Sequence, residues 1–210
     1  YTPVSSDVDK GFVDCVLKVY RSNVHPDFPE GGVMSQKIDK LEKGDSFSFR
    51  GPNGRLEYMG DGVFNIKQLK SQGGEIIEKK VKNVGMIAGG TGITPMIQII
   101  RAVLRNENDP TKLSLLFANK EERDIILRDK LENPDRDFSD RFKVNYTLDK
   151  AEDGWSGFTG FIDEEMIRNT MPEPSDDTLI LLCGPPKMNS EAVKPALESI
   201  GYSPDSIFNF

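Results

Sequence analysis

The stretch Asn83–Met96, NVGMIAGGTGITPM, decides how the rest of the chain is interpreted. An apolar run of strand length ends in three glycines, which permit a tight turn and close approach to the backbone. A second apolar run then begins at Thr94 and Pro95, which suit the cap and the first position of a helix. Because a helix start attracts anions, the stretch predicts a strand, a phosphate-binding turn and a helix. A glycine turn that merely joins a strand to a helix remains an alternative, since Pro95 replaces the third glycine of the dinucleotide fingerprint.

The same alternation of strand and helix continues to the C-terminus. From about Val81, each short apolar strand is followed by a segment of helix length. The predicted pairs are NVGMIAG with TPMIQIIRAVLRN, KLSLLFAN with ERDIILRDKLE, RFKVNYTLD with FIDEEMIRNTM, and DTLILLCG with NSEAVKPALESI, before a last strand SIFNF. This order predicts an α/β domain over residues 81–210, with helices on both faces of a parallel sheet.

The chain before this domain is predicted to be rich in strands. Residues 11–21 are β-branched and aromatic, and residues 45–51 alternate apolar with polar side chains. We therefore predict a β-rich part over residues 1–60 and a polar connector over 61–80 with room for a hairpin. Three or four strands are too few to close a barrel. The sequence thus predicts a truncated antiparallel β-barrel domain whose other strands lie before Tyr1.

Composition excludes several classes of function. The 210 residues carry a net charge of -7, which disfavours binding to nucleic acid. No apolar run is long enough to span a bilayer, and two distant cysteines suggest neither a disulfide framework nor a metal site. The chain has no GxSxG, HExxH or Walker lysine. Its single histidine, His25, precedes a proline in a predicted loop and is assigned no catalytic role.

Three further motifs have both a structural and a functional interpretation. The strand LILLCG ends at Cys183, which is either an inert buried thiol or a residue that touches a ligand. Asp149 ends the strand VNYTLD and is either a turn residue or an acceptor for ribose hydroxyls. The loop HPDFPEGGVMSQ, residues 25–36, is either a plain surface loop or a row of N–H groups around an anion.

Taken together, the motifs resemble the cytochrome b5 reductase family of ferredoxin-reductase-like flavoenzymes. The segments that carry this resemblance, in order and spacing, are YTPVSSD, VLKVY, FPEGGVMS, GGTGITPM, YTLD and CGPPKM. The resemblance covers residues 1–210 and implies FAD bound between an antiparallel barrel and an NADH-binding α/β domain. It also implies hydride transfer from NADH to flavin N5 and single-electron transfer to a haem protein such as cytochrome b5.

The resemblance also assigns site residues. The residues expected to bind FAD are Tyr1, Thr2, Val16, Lys18, Tyr20, Phe28, Gly32, Met34, Ser35 and Thr94. The residues expected to bind NADH are Gly90, Thr91, Gly92, Asp149, Cys183, Gly184, Pro185 and Met188. Thr94 and Cys183 are the catalytic candidates, because both are expected beside the reacting rings. Asp149 is expected to favour NADH over NADPH.

The chain departs from the family pattern in ways that affect partners and location. The arginine that precedes Tyr-Thr-Pro in the family would lie before Tyr1, as would a membrane anchor or a fused haem domain. Val33 stands where relatives often have a lysine, so docking of the haem protein is expected to rely on Lys67 and Lys70. The implied location is the cytoplasmic side, with attachment to the endoplasmic reticulum or mitochondrial outer membrane through an upstream segment as one option.

Two other functions remain open from the sequence. The flavin reductase module of assimilatory nitrate reductase carries similar motifs, although GFVD and the MSQ of GGVMSQ are nearer to the free reductase. A non-catalytic nucleotide-binding subunit that keeps the fold is the second alternative. The presence of Thr94, Cys183 and Asp149 argues against that second alternative.

Overall fold

The computed structural model describes residues 1–24 and 26–210 of the chain; His25 lies outside the described residues. The helices are α1 (Val33–Asp39), α2 (Ile93–Arg105), α3 (Arg128–Asp137), α4 (Glu164–Thr170) and α5 (Lys194–Ile200). The strands are β1 (Leu56–Gly60), β2 (Val63–Lys67), β3 (Ile76–Lys80), β4 (Asn83–Gly89), β5 (Lys112–Asn119), β6 (Phe142–Leu148), β7 (Phe158–Thr159), β8 (Thr178–Cys183) and β9 (Ile207–Asn209). Within the described ranges, no helix is long and apolar enough to cross a membrane.

The strands form two sheets. β4 to β9 build a six-stranded parallel sheet in the order β7-β6-β5-β4-β8-β9. β1, β2 and β3 build a three-stranded antiparallel sheet. Because β4 pairs in parallel with β8, the carboxyl ends of these two strands lie side by side, and GGTGITP and CGPPKM begin there.

Apolar side chains cover both faces of the parallel sheet. Along β4, Met86 belongs to the core on one face and its neighbour Ile87 to the core on the other, as the two-residue period of a strand requires. Helices α2 and α3 contribute to the first core, whereas α4 and α5 contribute to the second. Phe64 of β2 is fully buried in the first core, so the antiparallel sheet packs against the α2 side. The predicted α/β fold with helices on both faces is confirmed.

The strand predictions for the first sixty residues were wrong in detail. Residues 11–21 and 45–51 contain no strand in the described structure, apart from an isolated bridge between Pro3 and Cys15. A strand needs a ladder of backbone hydrogen bonds to a neighbour. Among the described residues, 11–21 make only the short antiparallel pairing of Cys15 and Asp14 with Pro3 and Val4. Residues 45–51 belong to no sheet, and Phe47 and Phe49 are 58% and 79% exposed. The connector, by contrast, does contain a hairpin, since β2 and β3 pair over its length.

In the α/β domain the differences from prediction are local. The helix predicted over ERDIILRDKLE begins only at Arg128, because Leu127 adopts a positive φ of 57° and interrupts the helical path. Glu122–Asp124 form a separate 3₁₀ turn. The helix predicted over NSEAVKPALESI is π-helical over Met188–Val193 before α5 begins. The short strand β7 was not predicted.

Candidate functional site

The turn after β4 has the open backbone that a phosphate would need. Gly90–Gly92 form one 3₁₀ turn that leads directly into α2, and the Ile93 N–H donates to the carbonyls of Gly90 and Thr91. The helical path therefore begins with the turn, whose own first N–H groups have no partner further back in that path. Gly90 has a positive φ of 52°, and a Cβ placed there would meet no atom within 4 Å. The backbone at Gly90 therefore faces open space, and the turn fits the pyrophosphate of a dinucleotide.

The two glycine-containing turns touch each other. A Cβ on Gly92 would lie 2.0 Å from the carbonyl oxygen of Cys183, and a Cβ on Gly89 would lie 2.8 Å from the sulfur of Met188. Only glycine permits the backbones to approach this closely. GGTGITP and CGPPKM, about ninety residues apart in sequence, thus form adjacent walls of one cleft at the carboxyl edge of the sheet, where open α/β sheets bind ligands.

Thr94 lies inside the first turn of α2 and does not cap the helix. The cap position is Gly92, which offers no side-chain hydrogen bond. The Oγ1 of Thr94 donates a hydrogen bond to the carbonyl of Thr91, 3.1 Å away, and only 7% of the residue is exposed. The cap prediction was wrong because the 3₁₀ turn starts the helical path earlier, and Thr94 instead fixes the shape of the glycine turn.

Cys183 is a partly buried thiol at the end of β8. Burial raises the pKa of the Cys183 thiol above its ordinary value, so the thiol is neutral at physiological pH. A neutral thiol is a poor nucleophile. The chemistry that remains for Cys183 is to contact and orient a ligand, which agrees with its place beside Gly92.

Asp149 follows β6 at the same edge of the sheet. Its backbone N–H donates to the carbonyl of Asn119, 3.0 Å away, which places it immediately beyond β5. Burial raises the pKa of Asp149, and the nearby charges of Lys120 and Lys150 act in the opposite direction. The residue is nevertheless exposed, so its carboxylate is available to accept hydrogen bonds from a ribose. The charges of Lys120 and Lys150 are close enough to this carboxylate to act on it.

The residues expected to bind FAD fall into two contiguous pieces. In the first, Ser35 accepts a hydrogen bond from the Tyr20 N–H at 3.1 Å and donates to the Gly32 carbonyl at 3.1 Å. The Gly32 N–H in turn donates to the Tyr20 carbonyl at 2.8 Å. The ammonium of Lys18 lies 5.7 Å from the centre of the Tyr20 ring. The structure thus brings Lys18, Tyr20, Gly32 and Ser35 together.

The second piece is the N-terminal segment. The antiparallel bridge between Pro3 and Cys15 sets a register in which Thr2 lies opposite Val16. Tyr1 and Tyr20 are 73% and 53% exposed. Exposed aromatic side chains next to backbone N–H groups suit the planar ring and polar chain of a flavin.

The remaining expected FAD residues, Phe28 and Met34, are also mostly exposed, at 67% and 58%. The Phe28 carbonyl accepts a hydrogen bond from the Gly31 N–H at 3.0 Å, and Met34 lies in the first turn of α1, which Gly32 precedes. The roles of all these residues toward FAD stay predictions.

Asn189 supports the CGPPKM turn, and the sequence patterns did not indicate it. It is 7% exposed, and its Nδ2 donates to the Asn209 side-chain oxygen at 3.1 Å and to the Gly184 carbonyl at 3.4 Å. From the π-helical segment it therefore links the CGPPKM turn to the last strand, β9. An asparagine within a predicted helix carries no sequence signal for such a contact.

Comparison with known families agrees with this geometry. Residues 1–58 match the oxidoreductase FAD-binding domain family, and residues 86–194 match the oxidoreductase NAD-binding domain family. The fold and the cleft therefore define an FAD- and NAD-dependent oxidoreductase.

Individual relatives narrow the class of oxidoreductase to which the chain belongs. The chain is 54% identical to NADH-cytochrome b5 reductase 3 of Rattus norvegicus over 210 residues, which are 100% of this chain and 69% of the relative. It is 51% identical to NADH-cytochrome b5 reductase 1 of Homo sapiens, covering 68% of that protein. The crystal structure of the cytochrome b5 reductase domain of Ulva prolifera nitrate reductase superposes with a TM-score of 0.91 at 40% identity, covering 100% of this chain and 78% of that one. The chain belongs to the NADH-cytochrome b5 reductase family.

Proposed function

We propose that this protein passes electrons from NADH through FAD to a haem protein of the cytochrome b5 type. The observation that supports the proposal most directly is the close approach of Gly92 to the Cys183 backbone, which brings the two turns together at the carboxyl edge of the sheet. The relatives named for this activity align with the whole chain. Bound FAD would supply hydride acceptance and single-electron release, while the protein supplies position and electrostatics.

Within this proposal the cleft residues orient the nicotinamide. Thr94 holds the glycine turn through its bond to Thr91, and the neutral thiol of Cys183 stands on the facing wall. Correct placement of two reacting groups accounts for a large part of a rate enhancement. We therefore assign Cys183 to positioning the nicotinamide, Thr94 to the place where the flavin ring meets the nicotinamide, and Gly90, Thr91 and Gly92 to the phosphates of NADH. Gly184, Pro185 and Met188 complete the facing wall.

Selectivity for NADH is assigned to Asp149. Its carboxylate can accept hydrogen bonds from ribose hydroxyls and repels a 2′-phosphate. Lys120 and Lys150 lie nearby and would attract the same 2′-phosphate, so they weaken the preference that the Asp149 carboxylate creates. If the carboxylate were neutralised, their attraction would be unopposed.

Docking of the haem protein is assigned to the exposed hairpin around Lys67 and Lys70. The chain as a whole has a net charge of -7, so an acidic partner needs a local basic surface. Lys67 ends β2 and Lys70 begins the 3₁₀ turn that follows, and both are exposed. The division into residues 1–60, 61–80 and 81–210 is likewise proposed, supported by family matches that end at 58 and begin at 86.

A second assignment is the reductase module of a nitrate-reductase-like enzyme, which the 0.91 TM-score to the Ulva prolifera domain favours. In either case we propose action on the cytoplasmic side, at the endoplasmic reticulum or mitochondrial outer membrane for the free reductase. Cell fractionation separates a membrane-attached free reductase from a module of a larger enzyme.

The test of the proposed function is spectroscopic. The FAD-loaded protein should show a flavin absorbance band that NADH bleaches rapidly, and it should then reduce cytochrome b5. NADPH should bleach the band at least about tenfold more slowly, a difference of roughly 1.4 kcal/mol. A colourless protein with no NADH-dependent reduction would overturn the proposal, and equal rates with NADPH would overturn the role of Asp149.

A further inference from the structure

A three-residue ionic cluster joins the N-terminal segment to helix α2. Asp9 lies 3.7 Å from Arg101 and 3.6 Å from Arg105, measured between carboxylate oxygens and guanidinium nitrogens. Arg101 also donates a hydrogen bond to the carbonyl of Val4, and Arg105 donates to the hydroxyl of Ser6 at 3.3 Å. Each arginine therefore holds the segment at two points, one of them Asp9.

The segment is shaped so that it presents these acceptors. The Ser6 N–H donates to the Asp9 carboxylate at 2.9 Å, and the Asp9 N–H donates back to the Ser6 carbonyl at 2.9 Å. The Ser6 hydrogen bond, followed by Arg105 and Arg101, lowers the pKa of Asp9. The carboxylate is thus ionised and correctly placed at neutral pH.

Other contacts of the segment do not fix it to the α/β domain in the same way. Val4 and Ser5 make hydrogen bonds to Asp14, which is itself an exposed residue outside the α/β domain. Val4 also packs on the edge of the core, a contact without directional preference. Across residues 1–24 and 26–210, the hydrogen bonds and ion pairs from positions 1–9 to the α/β domain all run to Arg101 and Arg105.

The geometry of α2 connects this cluster to the cleft. Thr94, Arg101 and Arg105 lie on one face of the helix. The seven residues from Thr94 to Arg101 make about two turns, and the four residues from Arg101 to Arg105 make about one. Thr94 is about 10 Å along the axis from Arg101, at roughly 1.5 Å per residue. The three residues from Val4 back to Tyr1 span about 10 Å when extended. The segment is therefore long enough for Tyr1 to reach the level of Thr94.

We propose that Asp9, Arg101 and Arg105 form a clamp that sets the position of Tyr1 and Thr2 relative to Thr94, and so the distance between flavin and nicotinamide. The proposal rests on the proposed function, because it concerns residues expected to bind FAD and NADH. The clamp residues are positioning residues and touch neither cofactor. An exposed ion pair adds little to the stability of a fold, so the effect of the clamp should appear in geometry and rate more than in unfolding.

The experiment uses the FAD-loaded protein and the variants Asp9→Asn, Arg101→Met and Arg105→Met. Stopped-flow flavin reduction at saturating NADH should slow by about tenfold, since an error of 1 Å in placement costs up to about 100-fold. The KM for NADH should stay within about twofold, because the NADH walls are unchanged. Arg101→Lys keeps the charge and one donor and should recover part of the rate.

A second readout does not depend on turnover. Amide hydrogen exchange over residues 4–9 should accelerate in the Asp9→Asn protein, while exchange in the interior of α2 should not change. The matched control is Arg136→Met, which removes an exposed arginine from its pair with Asp137 on α3. That variant should match the wild type in both measurements.

The outcomes separate the two proposals. Active wild-type protein together with unchanged flavin reduction in all three variants would overturn the clamp alone. Faster exchange at residues 4–9 with an unchanged reduction rate would overturn its positioning role. A wild-type protein without NADH-dependent flavin reduction would overturn the proposed function and the positioning role with it.

Discussion

The substitution Tyr58→Phe should destabilise the fold by about 2 kcal/mol, because it removes a hydrogen bond to the buried carboxylate of Asp109. Asp109 is 1% exposed, and its carboxylate accepts hydrogen bonds from the Tyr58 hydroxyl, the Asp61 N–H, and the N–H and hydroxyl of Thr111. The Tyr58 hydroxyl also accepts from the Gly62 N–H at 3.0 Å. This network joins the β1–β2 hairpin to the loop before β5.

The magnitude follows from the kind of bond that is lost. A hydrogen bond to a charged group contributes about 1.5–3 kcal/mol. Phenylalanine keeps the ring in place beside Phe64, whose centroid is 4.8 Å away, so the packing is preserved. For a chain of this length, 2 kcal/mol corresponds to a fall in Tm of roughly 4–8 °C. Calorimetry and urea unfolding measure the change.

Tyr146→Phe is the matched control. The Tyr146 hydroxyl is buried without a hydrogen-bond partner among the described residues, so removing it relieves a desolvation cost. That variant should be as stable as the wild type or more stable. A cost below about 0.5 kcal/mol for Tyr58→Phe, or an equal cost for Tyr146→Phe, would refute the reasoning.

The same network predicts how stability depends on pH. Burial and the Asp109 carboxylate raise the pKa of Tyr58 to about 12. Because the pKa of Tyr58 is higher in the folded than in the unfolded protein, its hydroxyl contributes its full stabilisation below the unfolded pKa of about 10. That contribution is lost as the pH rises through about 12. Burial alone would raise the pKa of Asp109, but bonds from Thr111 and Tyr58 lower it. Its contribution is therefore present above about pH 4 and lost as the pH falls further. Asp109→Asn should remove the acid part of this profile.

Three further predictions concern the cleft. Gly92→Ala should lower kcat/KM for NADH by more than about tenfold, because its Cβ would meet the Cys183 carbonyl 2.0 Å away; wild-type steady-state kinetics would contradict the contact. Cys183→Ser should keep its FAD, judged by absorbance, but reduce it about tenfold or more slowly in stopped flow; an unchanged rate would remove Cys183 from the site. Asp149→Asn should raise kcat/KM for NADPH by about tenfold, since Lys120 and Lys150 are then unopposed; no gain with NADPH would show that selectivity lies elsewhere.

Local sequence patterns predicted the α/β half of the chain well. β4 coincides with NVGMIAG and β5 with KLSLLFAN, because buried strands and amphipathic helices have distinct periods. The β-rich half was predicted less well. The antiparallel sheet β1–β3 spans Leu56–Lys80, across the expected connector, since alternation shows that a segment can form a strand but not which neighbour it pairs with.

For residues 81–210, the sequence by itself determined most of the order of strands and helices, the glycine turns and the class of ligand that they suit. Only the tertiary structure decided that β4 lies beside β8, which places Gly92 against Cys183. It alone also brought Asp9 to Arg101 and Tyr58 to Asp109. The physical reason is that periodicity and turn chemistry act between near neighbours along the chain. Contacts between distant residues depend on how the whole core packs.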